Sequence, residues 1–88
     1  MKIERIKTLK LSIDDYREIY LLFTTEDERP YVNVYTAYKD NGTMNFVYGL
    51  FCDDVSDKTK DEDIENEIVD MVMNLVRLEE IQWPEVTD

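Results

Sequence analysis

The chain has 88 residues, a formal net charge of −11, no histidine, one cysteine and 43% hydrophobic residues. That length accommodates one domain with a modest core, and the apolar content, with only two glycines and two prolines, is too high for general disorder. Without histidine no Ser/His/Asp or Cys/His arrangement can be assembled, and the lone Cys52 excludes an internal disulfide and a zinc site.

The first ten residues carry Lys2, Arg5, Lys7 and Lys10 among the apolar positions, so no signal-peptide block forms, and no stretch approaches the length needed to span a membrane. Together with the missing disulfide this points to the cytoplasm. Residues 6–13 alternate, with Leu9, Leu11 and Ile13 on one side and Thr8, Lys10 and Ser12 on the other, as expected of a strand with one wet face. Residues 12–23 fit two periods. As a helix, Ile13, Tyr16, Ile19, Tyr20 and Phe23 share a face; as a strand, Ile19, Leu21 and Phe23 line one face, and the β-favouring run ends in Thr24 and Thr25. The strand is preferred.

Residues 26–30 form a polar connection closed by Pro30. Residues 31–39 and 44–51 flank Asp40-Asn41-Gly42-Thr43, and Asn-Gly favours a type I′ hairpin because both positions need positive φ. A two-residue loop there sets Ala37 opposite Phe46, Tyr35 opposite Tyr48 and Tyr31 opposite Cys52. The other face then carries Val32 opposite Phe51, Val34 opposite Gly49 and Thr36 opposite Val47. One face is aromatic and the other is largely aliphatic.

Residues 53–60 make an acidic joint, and 61–81 are expected to form one helix. Its stripe is Ile64, Ile68, Met71, Val72, Leu75 and Leu78, with Val69 and Val76 at the shoulder; Asp63, Asn66, Asp70, Asn74 and Arg77 lie opposite. Pro84 stops any continuation, Trp83 folds back on the body, and a short acidic tail follows. The expected architecture is α+β: a small antiparallel β-meander of three to four strands covered by one C-terminal helix, in a single domain over 1–88.

Carboxylate pairs such as Asp14 with Asp15 or Asp53 with Asp54 are what 21 acids in 88 residues produce by chance, so the chain is not read as an enzyme. Asp57, Asp61, Asp63 and Glu65 lack the obligatory glycine of a calcium-binding loop, and Asp57 stands outside its alternate spacing, so neither a metal nor another cofactor is expected. Asp53 and Asp54 beside Cys52 raise its pKa, which makes it a structural rather than a reactive thiol.

Two surfaces remain as partner-binding candidates. If the helix covers the aliphatic side, Tyr31, Tyr35, Phe46 and Tyr48 are left on a face that one helix cannot also cover, although the first strand, a partly closed sheet or the helix itself packing on this face instead is an alternative cover. The second is charge. Residues 1–52 hold eight acids and seven bases, whereas 53–88 hold 13 acids against Lys58, Lys60 and Arg77. Asp53, Asp54, Asp57, Asp61, Glu62, Asp63, Glu65 and Asp70 form an acidic band that repels nucleic acid and anionic membrane and favours encounter with basic surfaces, such as a nucleic-acid-binding enzyme's channel. A solvated helix face is the bland alternative.

In size, acidity and lack of catalytic residues the chain resembles the small proteins that phages and mobile elements encode against restriction or CRISPR nucleases. That resemblance is one of composition and carries no residue across. It implies a stoichiometric inhibitor that mimics nucleic acid. The competing expectations are a homodimer or assembly module joined through the tyrosine face, and a toxin-neutralising immunity protein.

Overall fold

The computed structural model of the protein describes residues 7–85. The Ile6 end of the first expected strand, the basic residues before it and residues 86–88 of the acidic tail lie outside the described residues. Four strands, β1 (Lys7–Ser12), β2 (Arg17–Glu26), β3 (Arg29–Tyr38) and β4 (Met44–Phe51), form one antiparallel sheet in the order β1-β2-β3-β4. A single 3-10 turn, Cys52–Asp54, and the helix α1 (Asp61–Arg77) follow. The fold is α+β, and the ambiguous segment is a strand from Arg17 onward.

The strand period assigns the faces. Leu9 and Leu11 pair with Leu21 and Ile19, which pair in turn with Val34 and Thr36, so the aliphatic positions of three strands share one side. Helix α1 lies on that side. Ile19, Leu21, Val32, Val34, Ile68 and Val72 are fully buried there, joined by Cys52 and Ile81. Burying each such branched side chain is worth roughly 1.5–3 kcal/mol, which makes this interface the main source of stability for so small a chain.

Asp27 and Glu28 join β2 to β3 in a two-residue turn, with φ of 50° and 61° and Glu26 paired to Arg29. This is type I′ geometry, and it occurs where the sequence carries no glycine; the short Asp27 side chain tolerates the left-handed region better than most, whereas Glu28 has no such preference and is held there by the turn. The expected polar connection over 26–30 is therefore tighter, and Pro30 lies inside β3. It pairs with Thr25 next to the hydrogen-bonded closing pair, so its missing N–H faces the β4 side, where the ladder has already ended at Tyr31 and Phe51.

The Asn41-Gly42 turn departs from expectation. Only Gly42 takes a positive φ, 69°, and Asn41 instead accepts a hydrogen bond from the Thr43 N–H at 2.9 Å through its side chain. That local bond satisfies the backbone without a left-handed Asn41. Five residues, 39–43, connect the strands, and Ala37 pairs with Met44 and Tyr35 with Phe46. Between Val34 and Tyr35 the register shifts, because Val47 is an extra residue in β4. Beyond this bulge Tyr48 pairs with Val34, Leu50 with Val32 and Phe51 with Tyr31. The expected pairs of Ala37 with Phe46, Tyr35 with Tyr48 and Tyr31 with Cys52 are thus replaced, as are those of Val32 with Phe51, Val34 with Gly49 and Thr36 with Val47.

The helix ends four residues earlier than the predicted 81. Glu79 takes φ 58°, its N–H donates to the Val76 carbonyl at 3.0 Å, and the Glu80 N–H donates to the Leu75 carbonyl at 2.9 Å. These are the two bonds of a Schellman cap. Chain reversal there leaves Leu78, expected on the buried stripe, 53% exposed and brings Ile81 into the core in its place. The Thr36 hydroxyl, fully buried, donates to the Gln82 carbonyl at 2.7 Å, and Trp83 lies 6.4 Å from the Tyr38 ring with the Arg17 guanidinium 4.8 Å from its own.

Candidate interaction surfaces

Helix α1 starts at the same end of the sheet as the 27–28 turn, because Lys7, at the start of β1, meets Glu65 at 2.7 Å while Lys7 pairs across the sheet with Phe23. No side chain caps the helix. Asp61, Glu62 and Asp63 instead place three carboxylates in the first turn, where the unpaired amides and the helix dipole stabilise them. The same end carries Asp53 and Asp54 in the 3-10 turn and Glu26, Asp27 and Glu28 at the hairpin tip. The result is an acidic pole. Its hairpin residues were absent from the expected band because sequence distance hides their proximity, and only the β3–β4 pairing, which ends at Tyr31 and Phe51, brings Arg29 within reach of residue 53.

Arg29 binds the two parts of this pole together. Its Nη2 donates to Asp53 at 2.6 Å and to Asp54 at 3.1 Å, and its Nε donates to Asp53 at 3.1 Å. The guanidinium beside Asp53 holds that carboxyl below the usual carboxylate range. It also sits 3.9 Å from the Phe51 ring, a cation–π contact on the sheet's other side. Of the eight acids in the band, Asp53, Asp54 and Glu65 are thus engaged internally. Asp57, Asp61, Glu62 and Asp63 are exposed, with no cation within ion-pair distance among the described residues. Asp70 stands apart, about 10 Å up the helix from Asp63 at 1.5 Å per residue. Asn66 and Asn74 interleave with them, and Arg77 ends the outer row with a bond to the Asn74 side chain. Negative charge is therefore dense at the pole and sparse along the helix.

The second surface is the sheet side away from α1. Tyr20, Leu22, Tyr31, Tyr35, Phe46, Phe51 and Met44 point there; none belongs to the core cluster, and no described element packs over them. Three of the four expected aromatics stand on this face. The exception is Tyr48: the Val47 bulge turns it to the helix side, where it packs against the core and burial raises its pKa. The same shift moves Phe51 outward. Tyr31 meets Phe51 edge-on at 4.9 Å and Tyr35 meets Phe46 at 5.6 Å. Phe46 is 53% exposed. Glu18, also on this face, accepts the Tyr20 hydroxyl at 2.5 Å and pairs with Lys10 at 3.5 Å; the tyrosine bond first, then the lysine, keeps its pKa low.

Cys52 is buried, and desolvation, with Asp53 beside it, pushes its thiol up to about 11. The group is inert at neutral pH. Among the described residues no cluster of three or more His, Cys, Asp or Glu side chains is placed to hold a metal ion, and no helix is long and apolar enough to cross a membrane. No protein-family model, curated protein or solved structure matches the chain.

Proposed function

We propose that the protein is a non-enzymatic binding domain that docks its acidic pole on a basic surface of another protein. In its sharper form this is an inhibitor, of the kind phages and mobile elements encode, that occupies the nucleic-acid site of a nuclease or similar enzyme. The observation that carries the reading is the placing of Asp61, Glu62 and Asp63 at the same end of the fold as the 3-10 turn and the hairpin tip, on backbone that the helix and a two-residue turn hold in place, with Asp57 in the joint that leads to them. Fixed carboxylates steer a cationic partner and lose little entropy on contact. The asparagines interleaved along α1 favour contact at the pole over contact along the whole helix.

The test is capture of a Lys/Arg-lined nuclease by the immobilised protein, challenged with duplex DNA and with salt. Binding that DNA displaces, that weakens as ionic strength rises and that falls on the order of 10-fold or more in the triple variant Asp61→Lys, Glu62→Lys, Asp63→Lys supports the reading. Capture indifferent to salt and to charge reversal sinks it, and capture that is salt-sensitive but not displaced by DNA removes the nucleic-acid form alone.

A further inference from the structure

We propose that the open aromatic face is a self-association surface on which a second copy of the chain seats sheet to sheet. The proposal does not rest on the acidic pole. Aromatic side chains in this number, outside the core and under no described element, mark a contact surface, and charge selects the occupant. The side chains of Lys10, Arg29 and Lys39 serve this face, Lys39 reaching Ser12 at 2.6 Å, against Glu18 and Glu26; Asp53 and Asp54 stand at its margin, already bound to Arg29. In a chain of net charge −11, this face balances most of its carboxylates with cations, and two copies brought together on it oppose like charges mainly at the Asp27-Glu28 hairpin tips. Both helices with their outer acids, Asp63 and Asp70, then face solvent on opposite sides of the assembly.

The face is also self-complementary in its register. Lys10, Tyr20, Tyr35 and Phe46 form one row across the four strands. A twofold axis along the strands, lying between two such faces, reverses the row onto itself. Lys10 of each copy then meets Phe46 of the other, a cation over a ring, and Tyr20 meets Tyr35. Four strands about 4.8 Å apart and about eight residues long present roughly 500 Å² per copy, so roughly 1,000 Å² in all. That lies at the lower edge of specific interfaces, so the dimer is weak, with a dissociation constant on the order of micromolar.

Sedimentation equilibrium of the full chain, from about 5 to about 500 µM in low and in high salt, tests this. The expected result is a mass that moves from 10.5 kDa toward twice that value, with association tightening in salt as the mutual repulsion of two acidic chains is screened. This salt response is opposite in sign to that expected for docking on a basic partner. Phe46→Asp is expected to weaken association about 10-fold or more while circular dichroism shows the fold intact, the ring being half-exposed in the monomer; Asp70→Lys, on the outer helix row, is not expected to weaken it. A chain that stays monomeric across the range in high salt, or a dimer that Phe46→Asp leaves unchanged, overturns the proposal.

Discussion

The Tyr31 ring occupies the space that a Cβ on Gly49 would fill, with its hydroxyl and the adjoining edge of the ring directly over the β4 backbone. Phe51 holds the ring there edge-on, so the ring cannot swing aside without losing that contact. Gly49→Ala is expected to cost about 1–3 kcal/mol, the range for forced overpacking. In a Tyr31→Ala background the same change becomes neutral or stabilising by about 0.4–1 kcal/mol, because alanine restricts the unfolded chain more than glycine. Urea denaturation of the four proteins of this double-mutant cycle measures the sign change.

Arg29 makes folding sensitive to acid at one identifiable place. Folding lowers the Asp53 pKa, so the folded state favours the ionised carboxylate. The resulting contribution is complete above the ordinary carboxylate value of about 4 and is lost as the pH falls through the depressed folded value. Asp53→Asn is therefore expected to lower stability at neutral pH and to converge on the wild-type value in acid. Equilibrium unfolding from neutral pH downward reads the difference, and a gap that widens in acid contradicts it.

The C-terminal strap is fastened by one hydroxyl. Thr36→Val keeps the shape but removes the donor to the Gln82 carbonyl, at an expected cost of about 1 kcal/mol. Trp83, the single tryptophan, lies next to this bond, over Tyr38 and beneath Arg17. Its emission should shift to the red in the variant as the strap loosens, while the far-ultraviolet signal of α1 is retained.

Cys52 serves as a reporter of opening. Buried and shifted to about 11, it should resist aromatic disulfide reagents at pH 8 in the folded protein and react once urea exposes it. The rate of labelling against urea should follow the unfolding curve. Rapid labelling in the absence of denaturant would show that the 3-10 turn opens locally.

The α+β architecture was legible in the sequence because burial imprints its period directly. Ile19, Leu21, Val32 and Val34 alternate, and Ile64, Ile68, Met71, Val72 and Leu75 recur at helical spacing, so each set shares one face; that the helix takes the aliphatic side of the sheet was left open by the sequence and decided by packing. The exposed outer row of α1, Asp63, Asn66, Asp70, Asn74 and Arg77, follows from the same period. Local composition also located the acidic joint and the first-turn carboxylates.

Register and ends were decided only by the tertiary structure. A hairpin's pairing depends on whether each extra residue is absorbed in the turn or in a bulge, and the two cost nearly the same locally. Burial of Tyr48 and Leu50 under the helix chose a five-residue loop and a bulge at Val47, which exchanged Tyr48 for Phe51 on the open face. Likewise Glu79 has no intrinsic preference for the left-handed region; reversal there brings Ile81 under cover. The acidic pole is likewise a product of folding, since nothing in the chain between residues 28 and 53 records that Arg29 will lie against Asp53. Periodicity is a property of neighbours a few residues apart and survives in one dimension, whereas register and charge clustering depend on contacts that exist only once the sheet has closed.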